Sequence, residues 1–228
     1  MHGKSSMLYL DNAATTPLLP EVRKVMINYM VDNFGNPSSI YKIGRMNKIA
    51  VEEARKSIAK TIGACPDDIF FTSGGTESDN WVLESAAESA TESDSAHIIV
   101  SAIEHPAVIN KCIQLKKRGC DVDYIKTDKN GIINTDDLIS KIRDDTKLIS
   151  VMLVNNEIGT IQPVKNVCNI AAEYAIPVHT DAVAAYGHIP VNVKELGVDY
   201  LSVSAHKIGG AKGTGFLYAK AANINPYI

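Results

Sequence analysis

Apolar and polar positions in this chain follow two alternating patterns. Short apolar runs, typical of buried strands, cover residues 69–72, 97–101, 122–125, 148–154, 177–181, 200–204 and 216–219. Apolar positions three or four residues apart predict helices that start at Pro20 and extend over 46–62, 81–87, 106–118, 135–142 and 164–174. Gly63 is expected to end the second helix, and Thr135 to cap the fifth. Because strands alternate with helices, the pattern predicts an α/β fold with helices on both faces of a mostly parallel sheet of seven strands.

The segments between these elements are polar or rich in small residues. Residues 11–17 end in proline and predict an ordered loop, and residues 33–39 predict a break between the first two helices. Residues 85–95 are rich in Ala, Glu and Ser, and predict a helix end followed by an exposed loop.

Polar residues follow five of the predicted strands. In open parallel sheets, ligands bind beyond the carboxyl ends of the strands. Five independent polar clusters at one edge of a sheet are hard to assign to packing, so this edge is the predicted functional site. The clusters are Gly75-Thr76, Glu104-His105, Asn155-Asn156, Asp181 and Ser204 with His206-Lys207.

A glycine pair and a hydroxyl residue separate the strand at 69–72 from the next helix. Free N–H groups at a helix start, with the Thr76 hydroxyl, form an anion site that most often holds phosphate. The alternative is an ordinary strand-to-helix turn, capped by Ser73 or Thr76.

Lys207 directly follows a buried strand. Lysine is rarely buried without a partner, and desolvation lowers its pKa, which makes the amine a nucleophile suited to a Schiff base. The alternative is a surface turn with a solvated lysine.

The clusters together match the needs of an aromatic aldehyde cofactor that carries a phosphate and a pyridine nitrogen. Lys207 would form the imine, and Asp181 would keep the ring nitrogen protonated. Taken singly, Asp181 could be a helix cap and His105 a core or turn histidine. The remaining assignments are stacking by His105 and phosphate binding by Thr76, Ser204 and His206.

Composition narrows the functional classes further. The chain has 228 residues with 45% hydrophobic and 21% charged residues, and its net charge of -3 gives no support for a nucleic-acid or membrane-surface role. No apolar run reaches transmembrane length, and the N-terminus lacks a signal peptide. The four cysteines form no C-x-x-C pair and the histidines lack metal-ligand spacing, so no metal site is predicted. We expect buried, reduced thiols in a cytoplasmic protein.

Seven segments resemble those of the NifS- and IscS-like cysteine desulfurases, which are pyridoxal-phosphate enzymes of the class V aminotransferase family. The resemblance covers nearly the whole chain. The segments are Tyr9-Leu10-Asp11-Asn12-Ala13-Ala14-Thr15-Thr16-Pro17, Gly35-Asn36-Pro37-Ser38-Ser39, Thr72-Ser73-Gly74-Gly75-Thr76-Glu77-Ser78-Asp79-Asn80, Glu104-His105-Pro106, Val154-Asn155-Asn156-Glu157-Ile158-Gly159, His179-Thr180-Asp181-Ala182 and Ser204-Ala205-His206-Lys207.

The resemblance implies a fold and a role for each site residue. The fold is the three-layer large domain of aspartate aminotransferase-like enzymes, with residues 1–15 belonging to the small domain, residues 16–228 forming the large domain, and the C-terminal small domain absent. Asn156, rather than Asn155, contacts the cofactor phenolate or the substrate, and Asn36 lies near the substrate. The other implied roles are the imine and proton transfer for Lys207, ring stacking and acid–base steps for His105, the pyridinium contact for Asp181, and phosphate binding for Thr76, Ser204, His206 and the Gly75 backbone.

The implied reaction converts L-cysteine to L-alanine and an enzyme-bound persulfide that supplies iron–sulfur cluster assembly. A homodimer and a sulfur-acceptor scaffold protein are the implied partners. Two departures stand out: Ala184 replaces a glutamine that contacts the cofactor phenolate in relatives, and the segment with the sulfur-accepting cysteine and the substrate-binding arginine is missing. Selenocysteine lyase or class V aminotransferase activity, or a catalytically silent binding or assembly module, are the alternatives.

Overall fold

The computed structural model describes residues 8–89, 96–220 and 224–226. This part of the chain contains seven strands and seven α-helices. The strands are β1 Ile69–Thr72, β2 His97–Ser101, β3 Asp121–Ile125, β4 Thr146–Ser150, β5 Val178–Asp181, β6 Tyr200–Ser204 and β7 Gly215–Ala219. The helices are α1 Pro20–Val31, α2 Lys42–Ile62, α3 Gly75–Glu88, α4 Pro106–Lys117, α5 Thr135–Lys141, α6 Val164–Glu173 and α7 Val193–Leu196.

The seven strands form one sheet in the order β1-β7-β6-β5-β4-β2-β3. All neighbouring pairs are parallel except those of β7, which runs antiparallel to both β1 and β6. The prediction of a mostly parallel sheet is therefore confirmed. From the adjacent pair β2 and β4, the chain winds outward in opposite directions, so the loops at the carboxyl ends of these strands diverge and leave a crevice.

Two hydrophobic clusters lie on opposite faces of the sheet. Successive strand side chains point to opposite faces, so Ile99 packs in one cluster while Ile98 and Val100 pack in the other. The first cluster includes residues of α2, α5, α6 and α7, and the second includes residues of α3 and α4. This arrangement confirms the three-layer α/β/α architecture.

The predicted strand at 148–154 is too long. Strand β4 ends at Ser150, although Val151, Met152 and Leu153 are buried. The backbone N–H of Met152 donates to the carboxylate of Glu104 at 2.7 Å instead of to a neighbouring strand. Val151 and Leu153 still donate to the carbonyls of His179 and Asp181 on β5, so the segment loses its pairing with β2 but stays buried beside β5.

Two helix starts also differ from the prediction. The cap of α5 is Asn134, not Thr135, because the Asn134 side chain accepts the N–H groups of the two following aspartates. The four-residue helix α7 was not predicted, since it is too short to show a helical period. The predicted end of α2 is confirmed, because Gly63 adopts a left-handed conformation with φ of 71°.

The apolar positions at the start of the chain are exposed. Helix α1 begins at Pro20 as predicted but contains no buried residue. On α2, Met46 and Ile49 are exposed, so only the second half of its predicted apolar face reaches the core. Nothing in the part of the chain that the structure describes covers these side chains. The predicted loop at 90–95 lies outside the described residues.

One of the four cysteines contradicts the prediction that all are buried. Cys65 is exposed, because it precedes the short 3-10 helix Pro66–Asp68 at the surface. Cys112, Cys120 and Cys168 are buried, and burial raises the pKa of their thiols to about 12, 11 and 12. Among residues 8–89, 96–220 and 224–226, no group of three or more His, Cys, Asp or Glu side chains could hold a metal, and no helix is both long and apolar enough to cross a bilayer.

Candidate functional site

A cavity of about 710 Å³ opens at the carboxyl ends of the strands. It brings together every predicted site residue except one. Asn36 does not line it; this side chain is exposed, and its Oδ1 accepts the N–H of Ser38 at 2.9 Å. The role of Asn36 beside the substrate stays a prediction. The predicted residues that line the cavity are Gly75, Thr76, His105, Asn156, Asp181, Ser204, His206 and Lys207.

The turn from β1 into α3 forms one wall of the cavity and fits an anion. Gly74 has φ of 149°, a value that side chains rarely allow, and it places the N-terminus of α3 against the end of β6. The first N–H groups of a helix carry partial positive charge. Among the described residues, the hydroxyls of Thr76 and Ser204 make no hydrogen bond to another protein group, so both are free to meet a phosphate.

Gly75 is required by its close approach to Val183. A Cβ on Gly75 would lie 2.5 Å from Val183 Cγ2. We expect Gly75→Ala to lower the free energy of unfolding by about 1–3 kcal/mol in denaturant titrations and to weaken phosphate binding. Val183→Ala removes the methyl group that clashes, so the double variant should recover most of the loss. Equal losses in the single and double variants would contradict this explanation.

Thr15 and Thr16 form hydrogen bonds to the segment His206–Gly209, and this set of contacts is called the clasp below. The backbone oxygen of His206 accepts the N–H of Thr16 at 2.8 Å and the hydroxyl of Thr16 at 2.9 Å. The Thr16 hydroxyl in turn accepts the N–H of Gly209 at 2.7 Å, and His206 Nδ1 lies 3.2 Å from Thr15 Oγ1. Burial, and then the charges of neighbouring lysines, lower the pKa of His206, so the ring is neutral near pH 7 and can donate one N–H to an anion.

Lys207 and Asp181 lie at the ends of neighbouring strands. Lys207 ends the 3-10 helix that follows β6, and only 8% of it is exposed. Burial lowers its pKa, and the negative charges of Asp181 and Asp11 oppose this shift. The buried Asp181 accepts the N–H of Val183 at 2.8 Å. Burial raises the pKa of Asp181, against the effects of that N–H, His105 and Lys207. The cavity therefore presents a buried amine with a lowered pKa near a carboxylate.

His105 is held by the helix that follows it. It is the N-cap of α4, where its Nδ1 accepts the N–H of Ala107 at 3.1 Å. A neutral ring therefore carries its proton on Nε2. This hydrogen bond fixes the ring in the cavity wall, where it can stack on a flat ligand.

The two adjacent asparagines, Asn155 and Asn156, have different surroundings. The Asn155 side chain is used inside the loop, where Nδ2 donates to the oxygen of Ile103 at 2.9 Å and Oδ1 accepts the N–H groups of Glu157 and Ile158. Asn156 is half-buried and lines the cavity. This placement agrees with the choice of Asn156 as the ligand contact; its role stays a prediction.

Ala184 lies where the cavity meets a second one of about 490 Å³. Both are lined by Ala184, Asn156 and Lys207. The methyl group of Ala184 offers no hydrogen bond, so the neighbouring amide of Asn156 is a polar group that can act at this junction.

Two buried acids near the cavity floor were missed as site residues. Asp79 lines the cavity, and Glu104 lies behind it; they are 1% and 7% exposed. The sequence offered a weak signal for Asp79, since it lies three residues after Thr76 and so on the same face of α3. Glu104 belongs to the predicted polar cluster after the strand at 97–101, but the sequence gave it no role and did not show its contacts to Ser101 and Met152.

Glu104 should make stability depend on pH. Burial raises its pKa from 4.5 to about 8, against the hydrogen bonds from Ser101 and Met152. Between these two values the folded chain keeps a proton that the unfolded chain has lost, so the free energy of unfolding falls as pH rises, by at most about 1.4 kcal/mol per unit. Denaturant titrations across this window should show a smaller slope for Glu104→Gln. The exposed Glu21→Gln is the control, and an unchanged slope in Glu104→Gln would contradict the assignment.

Comparison with known sequences identifies relatives over nearly the whole chain. The aminotransferase class-V family model matches residues 8–227. The chain is 50% identical over 226 residues to cysteine desulfurase IscS of Methanosarcina thermophila, covering 99% of this chain and 56% of that protein. It is 52% identical over 222 residues to the protein of the same name from Dictyoglomus turgidum strain DSM 6724, covering 97% and 56%. The chain thus spans just over half the length of these curated relatives.

Solved structures agree with the sequence comparison. A NifS-like protein superposes with a TM-score of 0.93 at 40% identity, over 97% of this chain and 61% of that one. A structure of SspA in complex with cysteine superposes with a TM-score of 0.94 at 38% identity, over 97% and 65%.

The cavity fits pyridoxal phosphate, the cofactor of this family. The glycine turn and two uncommitted hydroxyls suit the phosphate, and Lys207 suits the aldehyde. One oxygen of the buried Asp79 lacks a hydrogen-bond partner within the described residues, so a polar group at the cavity floor is still able to form a hydrogen bond with a ligand. By its sequence, its fold and this cofactor site, the chain belongs to the aminotransferase class-V family.

Proposed function

We propose that this chain is the cofactor-binding large domain of a pyridoxal-phosphate-dependent cysteine desulfurase. The proposed reaction converts L-cysteine and a protein thiol to L-alanine and a protein persulfide. In it the Cβ–Sγ bond of cysteine breaks, and the sulfur forms a bond with the acceptor thiol. Two relatives named cysteine desulfurase, 50% and 52% identical in sequence, support the proposal, and so does the structural neighbour in complex with cysteine.

The observation that carries the proposal is that Lys207 and Asp181 lie at the ends of the adjacent strands β6 and β5. Asp181, the last residue of β5, is in register with Ser202 of β6, and Lys207 comes shortly after the end of β6. Both side chains therefore stand at the carboxyl ends of neighbouring strands. An amine and a carboxylate at adjacent strand ends, beside an anion cradle, meet the three polar parts of one flat ligand. None of the three is required by packing.

The chain's own residues have separable tasks in this mechanism. When bound, pyridoxal phosphate supplies an aldehyde carbon and an electron sink that acidifies the substrate's Cα proton. Lys207 Nζ, whose pKa is lowered by burial, would accept and return the proton. Asp181 would supply the negative charge for the ring nitrogen, and His105 would hold a movable proton on Nε2.

The acceptor thiol is proposed to come from outside the residues that line the cavity. None of the described cavity-lining residues is a cysteine. Three of the four cysteines are buried with strongly raised pKa values, which keeps them as unreactive thiols. Cys65 is exposed but does not line the cavity. The homodimer, the scaffold partner, the domain limits at 15 and 16 and the cytoplasmic location stay predictions from the resemblance.

Cofactor binding and proton abstraction test the proposal separately. Pyridoxal phosphate is added to the purified chain, the absorbance spectrum is recorded, and borohydride reduction is followed by peptide mapping. We expect a new visible band and a label on Lys207. L-Alanine in heavy water should then exchange its Cα hydrogen, a step that needs no acceptor thiol.

The outcomes distinguish the possible functions. A label spread over exposed lysines such as Lys129, with no visible band, would mean that the chain does not assemble the cofactor site and acts as a binding or assembly module. A label on Lys207 without Cα exchange would show a cofactor site that lacks catalytic competence. Exchange with L-alanine but no sulfide from L-cysteine, when an acceptor thiol is added, would favour an aminotransferase.

A further inference from the structure

The floor of the cavity contains a carboxyl group that the proposed mechanism leaves unused. Asp79 and Thr76 lie on one face of α3 and both line the cavity. Asp79 is 1% exposed, and its Oδ1 has no hydrogen-bond partner among the residues that the structure describes. A buried carboxylate with an unpartnered oxygen is costly, so its state of charge requires an explanation.

Asp79 and Asp181 have unequal surroundings. Asp181 accepts the N–H of Val183, and both His105 and Lys207 favour its ionised form. Asp79 has only the Ser202 hydroxyl to favour ionisation. Burial, and then the charge of Asp181, raise the pKa of Asp79 well above its usual range.

The nearest basic group does not supply a compensating charge. His179 Nε2 lies 3.6 Å from Asp79 Oδ1, but the ring is fully buried between two hydroxyls, Ser150 Oγ at 2.8 Å and Ser202 Oγ at 2.9 Å. Burial lowers the pKa of His179 to about 3, so the ring is neutral. A third acid, Glu104, also acts on Asp79 and further disfavours a negative charge.

Two carboxylates in one dry site do not both ionise, and the proton stays on the one with fewer donors. We propose that Asp79 is a positioning residue that keeps a proton at the cavity floor, so that Asp181 is the single anion facing the cofactor's ring nitrogen. A neutral Asp79 also leaves no negative charge one helical turn from Thr76, where the phosphate would bind. The role assigned to Asp79 rests on the proposed function, but the protonation of Asp79 is expected in the chain without cofactor as well.

The proton can be observed directly in the cofactor-free chain. Aspartate labelled with carbon-13 at the carboxyl carbon allows each carboxyl to be titrated by NMR, and the labelling leaves Glu104 silent. We expect one carboxyl to stay protonated through neutral pH and its signal to be absent from Asp79→Asn. In Asp181→Asn the same signal should titrate at lower pH, because the neighbouring charge is gone. Full ionisation of every aspartate at pH 7 would overturn the proposal, as would persistence of the protonated signal in Asp79→Asn.

Cofactor affinity provides the second readout. Asparagine has the shape of a protonated aspartate, so the dissociation constant of Asp79→Asn for pyridoxal phosphate should stay within about threefold of the unaltered chain. A loss of about tenfold or more would mean that Asp79 serves as an anion, which contradicts the proposal. If Asp79→Asn does not fold, the titrations of the unaltered chain and of Asp181→Asn still decide. Failure of the unaltered chain to bind the cofactor would instead reject the proposed function and leave the NMR result standing.

Discussion

Replacement of Lys207 by alanine should abolish the borohydride-stable label and lower the rate of Cα hydrogen exchange by at least about 10³-fold. The label disappears because the amine that bonds to the aldehyde is gone. The rate falls because no other lysine lines the described cavity to move the proton. Peptide mapping after reduction and exchange of L-alanine in heavy water measure the two effects.

The matched control is Lys129→Ala, which removes an exposed lysine from the turn at 128–131. It should keep both the label and the exchange rate. Lys207→Ala should still bind the cofactor through the phosphate cradle, so added methylamine should recover part of the activity. Retention of a single specific label in Lys207→Ala would show that another lysine forms the bond.

Replacement of Asp181 by asparagine should lower the rate of Cα exchange by about 10³-fold while the label on Lys207 remains. The amide has nearly the shape of the carboxylate but no charge, so it cannot keep the ring nitrogen protonated, and the electron sink is lost. Exchange kinetics and cofactor titration separate this loss of rate from a loss of affinity, which should be much smaller.

Asp199→Asn is a close control for this change. Asp199 precedes β6, and its Oδ2 accepts the N–H of Val178 at 2.9 Å, much as Asp181 accepts that of Val183. It does not line the described cofactor cavity. If both variants lost the same rate, the effect of Asp181→Asn would be one of folding rather than of charge.

Periodicity predicted the sheet and its helices because burial on both faces is encoded locally. It could not predict that β7 runs antiparallel, since strand direction depends on pairing with β1 and β6 and not on the apolar pattern of residues 215–219. It also extended β4 to residue 154, because residues 151–153 stay buried after the pairing with β2 ends at Ser150, and an apolar pattern does not show where that pairing ends. Helix α1 shows the reverse case. Its sequence has an apolar pattern, but none of its residues is buried in the described structure.

The cavity residues were predictable where a polar side chain directly followed a buried strand. Lys207 and Asp181 stand out for this reason. Asp79 did not, because a buried acid near the start of a helix looks like an ordinary capping residue until its neighbours are known. Glu104 was noted beside His105, but its burial and its contacts were not predictable from the sequence. Asn36 was assigned through resemblance alone, and the described structure gives it no contact with the cavity.

The clasp between Thr15–Thr16 and His206–Gly209 has a consequence for the order of assembly. Its hydrogen bonds join residues about 190 positions apart. Contacts of such long range form only after the intervening chain has collapsed, since closing the loop costs entropy before the contact repays it. The wall of the cavity that carries His206 therefore forms only after the strands between the two segments have packed.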